Sequence, residues 1–228
     1  MNHIAQNINE LRLQIPPQIK IIAVSKTKTA PEISKAMNAG QVIFGENKVQ
    51  ELTAKHAQVP EAQWHFIGHL QTNKVKYVAP FIQMIQSVDS FRVLEEINRQ
   101  AGKFSRIIDC LLQIHIAREE TKFGFNEQEA IEMLNNPLFH HLKHIRICGL
   151  MGIATFTNDM EHVRMEFRGL AEFFNRIRRD YFPVDSSFCE LSMGMSDDYH
   201  IAIEEGATMV RIGSLIFGKR EFVAKNEE

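Results

Sequence analysis

A lysine follows the first strongly apolar segment of the chain. The run Ile19–Val24 is short and rich in β-branched residues, and Ser25, Lys26, Thr27 and Lys28 come directly after it. An amine at the end of a buried strand, surrounded by apolar surface, has a lowered pKa and is a nucleophile toward aldehydes. Lys26 is therefore a candidate for Schiff-base chemistry. A single lysine does not establish this, because most lysines are solvated.

Two later segments have the composition of anion-binding loops. The segment SMGMSDD contributes the hydroxyls of Ser192 and Ser196 where a helix is predicted to begin, so backbone N–H groups there can bind phosphate. The segment RIGSLIFG contributes Gly213 and Ser214 at a strand end, and its Arg211 lies among apolar neighbours. An arginine inside an apolar strand is rarely buried without a partner. Helix capping by the two serines is the purely structural alternative.

A nucleophilic amine and a phosphate site on the same face predict a phosphorylated aldehyde as the ligand. Pyridoxal 5'-phosphate (PLP) is the cofactor of that description. The residues leave one alternative open, in which Lys26 performs aldolase-type chemistry on a sugar phosphate. The alternative predicts no Schiff-base absorbance band when PLP is added to the protein.

These residues must be positioned by a repeated unit of strand and helix. Apolar runs alternate with segments of helical periodicity along the whole chain, which is typical of a parallel sheet covered by helices. Strands are predicted at Ile19–Val24, Val42–Phe44, Trp64–Ile67, Met84–Val88, Ile107–Ile116, Ile145–Ile153, Phe188–Leu191 and Met209–Phe217. Eight such units in 228 residues predict a single (β/α)8 TIM barrel, preceded by an extra N-terminal helix over Ile4–Ile15. A doubly wound open sheet is the rival. In a barrel, Lys26 and both anion segments lie at the same mouth.

Composition excludes several other classes. The formal net charge is -2, which gives no field that favours nucleic acid. The three cysteines form no CxxC pair, and His140, His141 and His144 are interpreted as a solvated cluster at a helix–strand connection, so we expect no metal site. No segment has the pattern of a signal peptide or a membrane span, which predicts a cytoplasmic protein with no membrane contact.

We expect one domain over residues 1–228, and we favour a monomer because the helices offer no obvious apolar patch.

Five motifs together resemble the pyridoxal phosphate homeostasis protein family. They are AVSKTK, FGENKVQE, WHFIGHLQTNK, GLMGI and LSMGMSDDYHIAIEEGATMVRIGSLIFG. They span nearly the whole chain, and their combination is specific. The family is similar in fold to the barrel domain of alanine racemases. The resemblance implies an intracellular PLP carrier and regulator, with PLP-dependent apo-enzymes as potential recipients.

The resemblance also assigns roles to individual residues. It implies that Lys26 carries PLP as a Schiff base and that Arg211 faces the pyridine nitrogen. The implied phosphate ligands are Ser192, Ser196, Gly213 and Ser214. Asn47 and Met193 would line the pocket. Lys28, expected on the rim, and Lys122 lie where the family has further lysines that could take part in cofactor transfer.

Two positions depart from the family pattern. Lys48 replaces a tyrosine that the family usually has, at the point where a helix is predicted to begin, so the edge of the pocket is expected to change. His69 replaces a proline, which removes a rigid turn and adds a titratable group near the mouth. Neither departure touches the implied anchor lysine.

An amino-acid racemase is the alternative to a non-catalytic carrier. A two-base racemase needs an acid/base group on each side of the substrate. In fold-related racemases a tyrosine from a separate C-terminal domain supplies one of them, and we expect no room for that domain in this chain. Of the three tyrosines, Tyr199 alone lies near a strand-end motif. The sequence therefore favours the carrier, with no catalytic residue assigned.

Overall fold

Eight parallel strands close into one barrel in the order of the chain. The structure is a computed structural model and describes residues 3–119 and 123–218. The strands are β1 (Lys20–Val24), β2 (Ile43–Glu46), β3 (Gln63–Phe66), β4 (Met84–Val88), β5 (Ile108–Ile114), β6 (Ile145–Gly152), β7 (Glu190–Ser192) and β8 (Met209–Ile212). Pairing of β1 with β8 completes the barrel.

Helices cover the outside of the barrel. They are α1 (His3–Gln14), α2 (Ala30–Asn38), α3 (Val49–Gln58), α4 (Val75–Val78), α5 (Phe91–Lys103), α6 (Glu127–Asn135), α7 (Met160–Tyr181), α8 (Tyr199–Glu204) and α9 (Ser214–Phe217). Helix α1 precedes the first strand and buries Ile4, Ile8 and Leu11, which recur at helical spacing. The barrel and this additional helix confirm the predicted (β/α)8 fold.

The strand register determines which side chains enter the barrel. Ile22 of β1 pairs with Arg211 of β8, and side chains of paired residues point to the same face. Ile22 belongs to a small buried cluster with Met84, Leu111, Cys148, Met151 and Met209. This apolar cluster fills part of the barrel interior. Residues two positions further along each strand, such as Val24 and Gly213, lie nearer the carboxyl ends.

The structure corrects several predicted boundaries. Strand β8 ends at Ile212, and the predicted strand residues Ser214–Phe217 form helix α9 instead. Gly45 and Glu46 belong to β2, because the ladder with β3 continues through both residues. The helix predicted to begin at the SMGMSDD segment starts only at Tyr199, and Asp198 is its N-cap residue, so neither Ser192 nor Ser196 is the cap.

The helices within the described part of the chain are too short or too polar to cross a membrane. The longest, α7, has 22 residues, and its outer face bears many charged side chains. Its inner face buries Val163, Phe167, Leu170 and Ile177 against the barrel. This is the amphipathic pattern of a helix that covers a sheet.

Candidate cofactor site at the carboxyl ends of the strands

A cavity of about 250 Å³ opens at the carboxyl ends of the strands. Most of the residues selected from the sequence line it together. They are Lys26, Lys28, Asn47, Ser196, Arg211, Gly213 and Ser214. Val24, Ile67, Ile153 and Phe217 provide the apolar part of the lining. The cavity therefore combines cations, hydroxyls and an apolar wall, which is the usual composition of a small-molecule site.

Lys26 occupies the first corner of a tight turn after β1. The N–H of Lys28 donates to the carbonyl of Ser25 at 2.9 Å, which closes a four-residue turn. Thr27 has φ of 68°, and a positive φ at this third position is the pattern of a type II turn. The turn carries Lys26, which is partly buried, to the cavity wall.

Lys28, predicted to lie on the rim, lines the same cavity as Lys26. Its ammonium donates to the carbonyl of Phe217 at 3.1 Å and lies 3.5 Å from Glu32. Its side chain is 17% exposed. Two lysines two positions apart thus line one cavity, although the strand ends before both of them. Lys122 lies outside the described residues.

Arg211 is buried at the floor of the cavity. One of its terminal nitrogens donates to the carbonyl and the hydroxyl of Ser192, at 2.9 and 2.8 Å, and the other donates to the carbonyl of Gly152 at 2.8 Å. Burial lowers the pKa of Arg211 to about 10, and the charge of Asp198 opposes that shift. The guanidinium therefore remains charged near neutral pH and is held by three acceptors.

A chain of buried polar side chains supports Arg211 from inside the barrel. The Ser192 hydroxyl donates to the side-chain oxygen of Gln86 at 2.7 Å, and the Gln86 amide contacts Nδ1 of His65 at 2.9 Å. Burial lowers the pKa of His65 to about 3, and the charge of Lys20 acts in the same direction. The neutral ring can accept from Gln86 at Nδ1. The Ser192 hydroxyl, the Gln86 amide and Nδ1 of His65 thus have partners, as a low-dielectric interior requires.

Sequence reasoning missed His65 and Gln86. Both lie within apolar strands, in the runs WHFI and MIQSV, and the available signal was the polar residue in each run. Inward-facing positions on β3 and β4 become visible only when the register is known. Their contribution is indirect, because neither residue lines the cavity.

Two predicted residues do not reach the cavity wall. Ser192 is fully buried and is engaged by Arg211 and Gln86, and Met193 is also fully buried. The contact predicted between Ser192 and a phosphate stays a prediction. The contact that is present joins Ser192 to the arginine at the floor of the cavity.

The loops after β7 and β8 meet at one side of the cavity. The N–H of Gly213 donates to the hydroxyl of Ser196 at 3.3 Å, which joins the two loops. A Cβ atom at Gly213 would lie 3.4 Å from both Cβ and the carbonyl oxygen of Val24, so the backbone of β1 lies close by. Asp198 accepts from the N–H of Met195 and shapes the loop. Burial raises the pKa of Asp198, and its bond to Met195 opposes the rise.

Asn47 lines the cavity from the loop after β2. Its side-chain oxygen is buried and has no hydrogen-bond partner within the described residues. The backbone of Asn47 packs tightly on Gly68, where a Cβ atom would lie 2.2 Å from the Asn47 carbonyl oxygen. The loops after β2 and β3 therefore fix Asn47 beside the cavity, with its side-chain oxygen unpaired.

The two departures from the family pattern lie beside Asn47. Lys48 is the N-cap residue of α3, and it lines a neighbouring pocket of about 150 Å³ together with His69. His69 contacts Asp89 at 2.8 Å and stacks on Phe123 with ring centroids 3.7 Å apart. Within the described parts of the chain, no three His, Cys, Asp or Glu side chains form a group that could hold a metal ion.

The barrel and its cavity define a class of protein. The closed parallel barrel of eight strands covered by helices is shared with alanine racemases. The family model for the alanine racemase N-terminal domain matches residues 1–221. The alanine racemase of Clostridium difficile 630 has the same fold, with a TM-score of 0.73 at 15% identity, over 96% of this chain and 56% of that one.

Closer relatives specify the family. The pyridoxal phosphate homeostasis protein of Aquifex aeolicus is 38% identical over 205 residues, which covers 89% of this chain and 88% of the relative. PipY of Synechococcus elongatus, solved without PLP, matches with a TM-score of 0.88 at 36% identity, over 94% of this chain and all of that one. A second structure of PipY has PLP bound. The chain belongs to the pyridoxal phosphate homeostasis protein family.

Proposed function

We propose that this chain binds PLP as a Schiff base on Lys26 and acts as a carrier and regulator in PLP homeostasis. The observation that carries the proposal is the single cavity that contains the Lys26 turn, the Ser196–Gly213 loop pair and the buried Arg211. The amine would attack the aldehyde carbon of PLP, form a C=N bond and release water. The name of the relatives and the PLP bound to PipY support the same ligand.

The donor set of the cavity suits PLP. The hydroxyls of Ser196 and Ser214 and the backbone N–H groups around Gly213 would bind the phosphate. Ser192 is proposed to orient Arg211, and Met193 to support the loop from below. The unpaired side-chain oxygen of Asn47 offers an acceptor to a polar substituent of the ring. Arg211 would face the pyridine nitrogen.

A guanidinium at the ring nitrogen limits the chemistry that PLP supplies. When bound, PLP provides an electron sink, and the sink is strongest when its ring nitrogen is protonated. Arg211 has donors but no acceptor, so it cannot hold a proton on that nitrogen. The residues of this chain would therefore bind and orient PLP without activating it, which agrees with a carrier.

The tyrosines give the racemase alternative no second acid/base. Within the described residues, which include all three tyrosines, none lines the cavity. The hydroxyl of Tyr199 donates to the side chain of Gln14 on α1 at 2.8 Å. We therefore propose that the protein lacks substantial catalytic activity, works as a monomer in the cytoplasm and delivers PLP to apo-enzymes.

An absorbance spectrum of the purified protein with PLP, before and after borohydride, tests the proposal. We expect a Schiff-base band in the wild-type protein and stable labelling of Lys26 after reduction. Lys26→Ala is expected to lose both, whereas Lys35→Ala, which removes an exposed lysine on α2, keeps both. No band in the wild-type protein would favour the aldolase alternative. Full labelling of Lys26→Ala would move the anchor to Lys28.

A racemase assay distinguishes the carrier from an enzyme. Purified, PLP-loaded protein is incubated with several L-amino acids, and the D-isomers are measured by chiral chromatography. We expect turnover far below about 1 s⁻¹, the lower end of ordinary enzymes. Turnover above that value would overturn the carrier proposal and assign an acid/base role within the cavity.

A further inference from the structure

The two residues that flank Lys26 are each bound by a carboxylate. The hydroxyl of Ser25 donates to Oε1 of Glu46 at 2.7 Å, and the backbone N–H of Thr27 donates to Oε2 of Glu51 at 2.9 Å. Glu46 lies at the end of β2 and Glu51 in the first turn of α3. The Lys26 turn is therefore held from both sides by a neighbouring strand and helix.

One ammonium joins the two carboxylates. Lys55 of α3 is 7% exposed, and its Nζ donates to Oε1 of Glu46 at 2.6 Å, to Oε2 of Glu51 at 3.1 Å and to the carbonyl of Ser25 at 2.8 Å. An ammonium has three N–H donors, and these three acceptors use all of them. The arrangement thus connects Ser25, Glu46 and Glu51 through a single buried cation.

The turn needs such support because Thr27 has an unfavourable conformation. A φ of 68° is ordinary for glycine, but it is strained for a β-branched residue. Such strain persists only where the surroundings enforce it, and it is concentrated at functional sites. Relaxation of Thr27 to negative φ would reorient the peptide units on both sides and would turn Lys26 away from the cavity.

The geometry points to Glu46, Glu51 and Lys55 as a positioning network that holds the strained turn and thereby directs the Lys26 amine into the cavity. The inference rests on the proposed function, since it concerns the nucleophile of that function. None of the three network residues lines the cavity, so the network acts through Lys26. The family resemblance assigned no role to any of them.

Glu51→Ala tests the network with a moderate risk to the fold, because the Glu51 side chain is 30% exposed. The rate of Schiff-base formation with PLP is followed by absorbance, and the modified residue is identified by borohydride reduction and peptide mass spectrometry. We expect formation about tenfold slower than in the wild-type protein, since a misdirected amine loses its favourable orientation. A wild-type rate would overturn the inference.

Labelling of the PLP-free protein gives a second readout. Acetic anhydride modifies accessible amines, and mass spectrometry measures the modification of Lys26. We expect faster acetylation of Lys26 in Glu51→Ala, because the amine leaves the cavity for solvent. Slower reaction with PLP together with faster acetylation is the signature of reorientation. Unchanged acetylation would contradict it.

Thr27→Gly distinguishes positioning from simple stabilisation of α3. Glycine adopts the observed φ without a steric penalty. The double variant with Thr27→Gly and Glu51→Ala should therefore form the Schiff base within about threefold of Thr27→Gly alone, because the turn no longer needs to be enforced. If Glu51 acted only on the stability of the helix, glycine at position 27 would restore nothing. Persistent slow formation in the double variant would overturn the inference.

Glu46→Gln and Glu190→Gln complete the comparison. Glu46→Gln removes the charge between Ser25 and Lys55 and is expected to slow Schiff-base formation. Glu190→Gln alters a similar glutamate–lysine pair, with Lys20, at the amino end of the barrel, and should keep the wild-type rate. Urea unfolding of each variant verifies the fold. Failure of the wild-type protein to form the Schiff base would overturn the proposed function and this inference with it.

Discussion

Arg211 shows how a buried cation can be held without a paired carboxylate. Its three acceptors are the carbonyls of Ser192 and Gly152 and the hydroxyl of Ser192. Asp198 contributes only through its charge. Because the planar guanidinium spans acceptors on two strands, a lysine cannot replace it: an ammonium is a compact point charge on a flexible stem.

We therefore expect Arg211→Lys to lower the free energy of unfolding by about 1–3 kcal/mol, the penalty for a buried acceptor left without a donor. PLP binding should weaken as well, because the floor of the cavity loses its fixed donors. Urea unfolding of the PLP-free protein and PLP titration by absorbance measure the two effects. Arg179→Lys, at an exposed ion pair with Asp180, is the control and should change stability very little.

His65 makes the protein sensitive to acid. Its pKa is lowered from 6.5 to about 3 because it is buried, so the unfolded chain binds a proton below pH 6.5 that the folded protein does not accept. The contribution of neutral His65 to the free energy of unfolding is fully present well above pH 6.5, and it is lost as the pH falls toward 3. Between pH 6.5 and 4.5 the loss is about 2 kcal/mol, because each unit is worth 1.36 kcal/mol and half of the unfolded chains already carry the proton at pH 6.5.

We expect His65→Gln to reduce the loss of stability between pH 6.5 and 4.5 by about that amount relative to the wild-type protein. Glutamine does not titrate, and its oxygen can accept from Gln86. Urea unfolding at several pH values gives the two slopes. Equal slopes would mean that His65 is protonated in the folded protein or that its ring is hydrated.

At the scale of elements, the barrel depends on close approach of two strands. Gly149 of β6 has φ of 153°, and a Cβ atom there would lie 1.7 Å from the carbonyl oxygen of Glu190 on β7. The pairing of β5 with β6 shifts register next to this point, between Cys110 and Leu111. Only glycine allows β6 to change register here and still pair with β7.

Gly149→Ala is expected to cost about 3 kcal/mol of stability, because the methyl group forces β6 and β7 apart. Its matched control is Gly169→Ala in α7, where a Cβ atom would meet nothing within 4 Å. There alanine should raise the free energy of unfolding by about 0.5–1 kcal/mol through helix propensity. Urea unfolding compares the two variants with the wild-type protein, and similar effects of both would contradict the role of Gly149.

At the scale of the whole molecule, we expect one cooperative domain that PLP stabilises. Trp64, the single tryptophan, is buried on β3, so its fluorescence reports on the barrel core. The unfolding transition followed by this fluorescence should coincide with the transition followed by far-UV circular dichroism. Free PLP at 100 times its Kd should raise the free energy of unfolding by about 2.7 kcal/mol, because it binds only the folded protein. Two separate transitions would contradict a single domain, and Lys26→Ala should lose the stabilisation.

Strand and helix alternation, the N-terminal helix, and the position of Lys26 after the first strand could be read directly from the sequence. These features are local, because hydrophobic periodicity and β-branched runs depend on near neighbours. The predicted end of β8 was wrong because a local apolar pattern does not distinguish a strand from a short buried helix. The apolar residues after Ile212 suit a strand as well as the short helix α9, and only packing distinguishes them.

The sequence by itself determined the fold class, the position of Lys26 after the first strand, and the two loop segments that line a cavity with it. The tertiary structure alone decided that Lys28 shares that cavity, that Ser192 lies beneath it, and that His65 and Gln86 support Arg211. It also brought Glu46, Glu51 and Lys55 to the turn of Lys26. These contacts join residues far apart in the chain, and strand register and barrel closure, which place them together, are global properties that local patterns do not specify.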